Sequence, residues 1–331
     1  MKTEKEIKRR YAQRPNALLN VATLTHTSQT KLGKGLNDIL KTTGIKYVVA
    51  GLALSPDATI CSYASKEGDP FVIFHDGFNN RINDINDPFS KKSCMDLCIS
   101  TTGQFKFDPS VKIRQRRTAK FYNWKKSKGT DGKRNPFNSF VLELQAEIEE
   151  LKRKCLEDGF VLVIRLNTVS DIIWERMKWL NAANIFEYNK DVIWYDYTKI
   201  PIEKRNNRPS NYHLTFSHSG HFDRSAAALA AGVNVAVVFY CLRFDCPNCS
   251  TKAGGLKYSC KPSFLEIGKK LYKVIDGDKT DLRFKDESPV IVGLSYKTAH
   301  TQVINKNNKS GYGYVRIQPK NKTWINPKIK V

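Results

Sequence analysis

The sequence predicts an α/β fold in which repeated βα units form a partial or full parallel barrel, with basic extensions at its ends. Three observations lead there. Short, continuous apolar runs recur between residues 45 and 297 and alternate with helical patterns, as strands buried on both faces of a parallel sheet do. Most of these runs lead into polar side chains at their carboxyl ends. The chain is also strongly basic, with a formal charge of +23 and a pI near 9.6, which points to a polyanionic partner outside the core, nucleic acid first. An open, doubly wound sheet is the alternative architecture.

At 331 residues and 40% hydrophobic content, the chain is long enough for one large α/β domain or two ordinary ones. No apolar run is long enough to span a bilayer. The charged opening MKTEKEIKRRYAQRP is followed by no signal-peptide core. The expectation is therefore a soluble, intracellular protein of the cytoplasm.

Residues 1–45 read as an arm followed by a helix over GLNDILKTTG, stopped by Gly44. The main domain is expected over 46–300. IKYVVAGLAL (45–54) reads as a buried strand. Residues 62–93, rich in Asn, Asp and Gly, read as an insertion. Residues 112–134 hold ten Lys/Arg against one acid, Asp131. Aromatic residues lie among them, so cations can meet phosphates while rings stack on bases. Arg114, Arg116, Arg117, Lys120, Tyr122, Trp124, Lys125 and Lys126 are the candidate nucleic-acid contacts. The competing reading is a solvated basic helix whose aromatics face the core.

The clearest helix is NSFVLELQAEIEELKRKCLEDG (138–159), with Phe140, Val141, Leu144, Ile148, Leu151 and Cys155 on one apolar face and Gly159 as its stop. Strands follow at FVLVIRL (160–166), DVIWYDYT (191–198), YHLTFS (212–217), NVAVVFY (234–240), LYKVIDG (271–277) and PVIVGLSYK (289–297). Helices are expected at DIIWERMKWLN (171–181) and DRSAAALAAG (223–232). A second insertion is expected at 241–265, and residues 301–331 form a basic tail. From residue 288 onward there is no acid and there are eight Lys/Arg.

In parallel α/β folds the carboxyl ends of the strands surround the site. That rule collects Arg165, Asn167, Asp171, Lys199, His213 and Ser217 as candidate catalytic groups. Arg165 and Lys199 would clamp phosphate and His213 would move protons. Asp196, Asp276, Asp278 and Asp281 are hard oxygen ligands suited to Mg²⁺ or Mn²⁺, and two such ions would support phosphodiester chemistry. The segment VIDGDKTDLRFKD gathers Asp276, Asp278, Asp281 and Asp286 within eleven positions, either around a metal or in a turn.

The eight cysteines form two groups besides Cys155. Cys246-x2-Cys249, with Cys260 and the upstream Cys241, fits a zinc knuckle. Cys94-x3-Cys98 with Cys61 would supply three thiolates, enough for an iron–sulfur cluster with an open iron; zinc, or a pair of reduced buried thiols, is the alternative there. A radical S-adenosylmethionine enzyme uses such a cluster on a partial barrel, although its usual C-x3-C-x2-C run lacks its third cysteine here. A nucleic-acid-binding module without catalysis is the third reading.

The motifs IRLNTVSDIIWE, YDYTK, NYHLTFSHS, GVNVAVVF and VIDGDKTDLRF…VIVGLSYK, preceded by TKLGKG and CISTTGQF, resemble in order the motifs of the gene product 88 family of phages and related mobile elements. The likeness spans roughly residues 30–300; the 62–93 and Cys246–Cys260 stretches depart from it. It implies a phage or plasmid origin and marks Arg165, Asn167, Asp171, Trp174, Glu175, Asp196, Lys199, His213, Ser217, Asp276, Asp278, Asp281 and Arg283 as motif positions. It supplies no mechanism. The function expected is nucleic-acid binding, with metal-dependent action on nucleic acid in replication or processing as its enzymatic extension.

Overall fold

A computed structural model describes residues 3–12, 16–22, 35–55, 108–129, 135–205, 207–218, 222–240, 261–295 and 314–316. Its centre is one mixed sheet. The strands are β1 (Leu19–Ala22), β2 (Tyr47–Leu52), β3 (Val161–Arg165), β4 (Ile193–Thr198), β5 (Tyr212–Ser217), β6 (Val235–Tyr240), β7 (Phe264–Ile267), β8 (Lys270–Asp276), β9 (Ile291–Ser295) and β10 (Tyr314–Arg316). They lie in the order β1-β2-β3-β4-β5-β6-β9-β8-β7, with β10 on β6. β1–β2 and β7–β8 are antiparallel and every other pairing is parallel.

The fold is α/β, as expected. From β1 to β6 the strands follow chain order without reversal, unlike a doubly wound sheet. The sheet is nevertheless open: β1 and β7 are its two ends and do not pair with each other. The arm contributes more than a helix, because β1 extends the sheet beyond β2. Likewise, β7 starts inside the stretch expected to be an insertion and pairs with β8.

Among the described residues, six α-helices accompany the sheet: α1 (Glu4–Arg10), α2 (Leu36–Thr43), α3 (Asp108–Lys126), α4 (Ser139–Asp158), α5 (Ile185–Tyr188) and α6 (Phe222–Ala230). α4 starts where the Asn138 side chain accepts the Phe140 N–H and ends at Gly159 in the left-handed region. It buries the apolar face expected from its periodicity, Phe140 to Cys155. Alternation along β4 sends Trp194 into the core beneath α4, together with Leu162, Ile164, Tyr212 and Leu214. Tyr195 points the opposite way and packs with Val49, Val163, Leu36 and Leu282.

Residues 171–181 do not form the expected helix; only a 3-10 turn, Trp174–Arg176, appears there. Tertiary contacts override the helical period. Trp174 and Trp179 are both fully buried. The Asn167 side chain takes the Ile172 N–H at 3.0 Å and the Trp174 indole at 3.2 Å. The bonds that would have run along a helix are thus directed into side chains.

Candidate functional site

The carboxyl ends of β3, β4 and the start of β5 are joined by a buried network of charges. β3 and β4 stay in register only through Ile164↔Trp194. Beyond that point they splay, and Asp196 fills the gap. Its Oδ1 accepts the Asn167 N–H at 2.7 Å, and its Oδ2 accepts Asn167 Nδ2 at 3.3 Å and the Tyr212 hydroxyl at 3.1 Å. Arg165 Nε lies 3.9 Å from Asp196 Oδ1. The Arg165 Nη1 atom donates to Asp281 at 2.8 Å. Asp281 also accepts the hydroxyls of Tyr195 at 3.4 Å and Tyr197 at 3.2 Å, and the Arg165 guanidinium lies 4.8 Å from the Tyr197 ring centre.

A second half adjoins the first through Tyr212, whose hydroxyl accepts Arg205 Nη2 at 3.0 Å. The Arg205 fork grips Glu175 and reaches Thr198 at 3.0 Å and Asp171 at 3.3 Å. Asp171 in turn accepts the Thr198 hydroxyl at 2.8 Å and the Lys199 backbone N–H at 2.7 Å. Four carboxyls, Asp171, Glu175, Asp196 and Asp281, thus share two guanidinium groups, and each is less than a tenth exposed. At Asp196 burial outweighs Arg165, the hydrogen bonds from Asn167 and Tyr212, and Arg205, and raises the carboxyl pKa to about 7. Burial also raises Asp171, opposed by Arg205 and the Lys199 N–H.

Of the residues singled out from the sequence, Arg165, Asn167, Asp171, Asp196 and Asp281 meet in this network, and Lys199 joins through its backbone. His213 and Ser217 do not. They lie on the face of β5 opposite Tyr212 and Leu214. His213 is exposed, with its ring 6.0 Å from Phe284, and Ser217 is half-buried at the strand end. Tyr195, Tyr197, Arg205 and Tyr212 are members that sequence reasoning missed. Nothing local distinguishes Arg205, in KRNNR, from a solvated cation, although it is fully buried.

The carboxylates of VIDGDKTDLRFKD go to different places. Asp276 and Asp278 both grip Lys261 Nζ, at 2.6 and 2.8 Å, and Asp276 also accepts the Asp278 N–H at 3.0 Å. They sit at the end of β8, four strand positions from β4, or about 19 Å at the usual spacing. A joint metal site of Asp196 with Asp276 and Asp278 is therefore not formed, and an ammonium lies between the latter two. Asp281 turns back over the sheet to Arg165, while Asp286 pairs with the buried Arg283 at 3.0 Å. Among the described residues, no group of three or more His, Cys, Asp or Glu is gathered to hold a metal ion. Cys61, Cys94, Cys98, Cys241, Cys246, Cys249 and Cys260 lie outside the described residues. Cys155 is buried and reduced, on the apolar face of α4.

The basic stretch divides in the same way. On α3, Trp124 is fully buried, stacked on Phe140 and Trp174 at 5.5 and 6.2 Å between ring centres, so it offers no face to a base. Arg117 is 1% exposed and donates twice to the Ala17 carbonyl, at 3.1 and 2.8 Å. Arg114 is buried as well. These three are corrected from partner contacts to core and tether. Lys112, Arg116, Lys125, Lys126 and Lys128 are exposed. Lys120 is half-buried and pairs with Glu143. Tyr122 is half-buried, and Lys126 Nζ lies 4.2 Å from its ring centre.

Fold and site together define an α/β protein with an open, largely parallel sheet whose strand ends are locked by buried ion pairs. The family model described as Gene product 88 matches residues 23–311, and the chain belongs to that family. No curated protein and no solved structure matches it. No helix of the described residues is long and apolar enough to cross a membrane.

Proposed function

We propose that this chain binds nucleic acid through its phosphates, using the exposed side of α3. One observation carries the reading: the helix separates its cations by face. Phe121, Trp124, Arg114 and Arg117 fill the buried side, while Lys112, Arg116 and Lys126 recur along the exposed one. At 100° per residue these three fall within one narrow arc, and from 112 to 126 the stripe runs about 21 Å. Lys125 and Lys128 flank its carboxyl end. Supporting it are the +23 charge and the acid-free stretch after residue 288. The reading assigns no reaction to the buried network, whose members hold strand ends together.

Fluorescence anisotropy with labelled 20-mer duplex and single-stranded DNA, titrated across NaCl concentration, tests it. Three to five phosphate contacts give a log–log salt slope of about −3 to −4.5 on duplex. The full chain carrying Lys112→Glu, Arg116→Glu and Lys126→Glu together is expected to bind at least about tenfold more weakly, with a shallower slope. Lys190→Glu, an exposed cation on the loop after α5, leaves affinity unchanged. Salt-independent binding, or equal loss in the Lys190 variant, refutes the proposal.

A further inference from the structure

The surface of α3 has a pattern that charge alone does not require. From Pro109 to Lys126 the helix holds no acid, yet its exposed arc is not all cationic. Gln115, Ala119 and Asn123 are exposed as well. Spaced four apart, they form one row up the arc, each offset about 40° from the last. Lys112 precedes this row and Lys126 follows it, and both lie within about 20° of Ala119. Arg116 flanks the row, steadied by a bond from Nη1 to the Asn16 side-chain oxygen at 2.9 Å. The face therefore runs cation, amide, methyl, amide, cation. The neighbouring α4 differs: its Lys152, Arg153 and Lys154 pair with Glu149, Glu157 and Glu150 of the same helix.

We infer that α3 lies in the major groove of duplex DNA, with Gln115 and Asn123 contacting adenine edges. This rests on the phosphate-binding reading above and deepens it. Phosphate contacts position a protein but carry no sequence information, which comes from contacts to base edges. Gln and Asn present a donor beside an acceptor, matching N7 and the N6 amino group of adenine. The two amides stand about 12 Å apart along the axis, a span of about three to four stacked base pairs. Ala119 between them lets the backbone come close to the bases. A straight helix follows the groove floor only through its middle, because the groove curves away, so Lys112 and Lys126 at the ends meet phosphates. Single strands fit less well. They are held by stacking on rings. Here Phe121 and Trp124 are buried, and Lys126 Nζ covers the half-buried Tyr122 ring at 4.2 Å. Duplex RNA fits no better, since its major groove is too deep and narrow for side chains to read.

The test uses the full chain and labelled 20-mer duplexes of alternating A·T, unmodified or with 7-deazaadenine in place of adenine. The analogue loses N7, which only the major groove displays, and keeps the phosphates and the minor groove. Wild type is expected to bind the analogue at least about tenfold more weakly, as two bidentate contacts imply, with the same salt slope on both duplexes. Gln115→Ala combined with Asn123→Ala should bind the two duplexes equally and keep the wild-type salt slope. Both positions are exposed, and the wild-type comparison decides by itself should the variant fail to fold. Salt-dependent binding in which wild type treats both duplexes alike overturns this inference and leaves phosphate binding by α3 standing. Discrimination that survives in the double variant overturns it too, as does tighter binding to a single-stranded thymidine 20-mer or to duplex RNA of the same sequence. Absence of salt-dependent binding to every probe overturns both readings.

Discussion

Replacing Asp196 by asparagine probes the buried network directly. The carboxyl is 1% exposed, and its pKa in the fold is raised to about 7, against about 3.9 in an unfolded chain. A carboxyl with a raised folded-state pKa is protonated in the fold over a range where the unfolded chain has already lost its proton. Its contribution is therefore intact below about pH 4 and is eroded as pH rises, at about 1.4 kcal/mol per pH unit, until the folded group also ionises near pH 7. The full penalty is about 4 kcal/mol at pH 8. The Asp196→Asn side chain cannot ionise and so escapes it. The introduced amide keeps an oxygen for the Asn167 N–H and can donate to the Tyr212 hydroxyl, at the cost of crowding its nitrogen against Asn167 Nδ2. Urea unfolding of both chains between pH 4.5 and 8.5 gives the answer as a difference, in which all other titrations cancel. The variant should gain on wild type steadily from pH 4.5 to 7 and hold that gain above. A difference flat across this range to within about 0.5 kcal/mol would mean that Asp196 is ionised throughout and satisfied by Arg165, and the reasoning from burial would fail.

Asp281→Ala removes the closest acid partner of Arg165, 2.8 Å away, and should cost about 3–5 kcal/mol in urea unfolding, since a buried guanidinium is left behind; a loss under about 1 kcal/mol would show that the Tyr195 and Tyr197 rings suffice. Gly35→Ala meets two obstacles, a φ of +81° and a Cβ that would sit 2.6 Å from the Lys279 carbonyl oxygen, so the melting temperature should fall by several degrees; an unchanged melt would mean that the 279–280 segment yields freely. Elemental analysis of protein purified without oxygen should find about one zinc per chain, as the Cys246-x2-Cys249 spacing with Cys241 and Cys260 implies; iron with sulfide and a broad visible band would instead favour a cluster on Cys61, Cys94 and Cys98.

The elements were legible where one local signal governed them. Continuous apolar runs marked β2, β3, β4, β5, β6, β8 and β9, and the 3.6-residue period with Asn138 and Gly159 at its ends marked α4. Short strands without such a run escaped. β1, β7 and β10 have three or four residues each and are defined by the neighbour they pair with. The stretch 171–181 has a helical pattern, yet the nearby Asn167 side chain takes the Ile172 N–H and the Trp174 indole, and Arg205, some thirty residues on, takes the carboxylates of Asp171 and Glu175.

The candidate site divides along the same line. That Arg165, Asn167, Asp171 and Asp196 belong at strand ends follows from the sequence, because a parallel strand delivers its last residues to one edge of the sheet. Which carboxylates meet does not. Asp276 ends β8 and Asp196 lies in the carboxyl half of β4, but lateral order in the sheet keeps them four strands apart, while the returning chain brings Asp281 to Arg165. On α3, likewise, composition announced a basic surface, but Arg117 lies on the inner face because its donors are needed by Ala17 and Asn20, about a hundred residues earlier. By itself the sequence determined the repeated strands, the charge and the family. Tertiary structure alone decided which charges face one another and which face water, because those choices depend on distances between segments that no local spacing records.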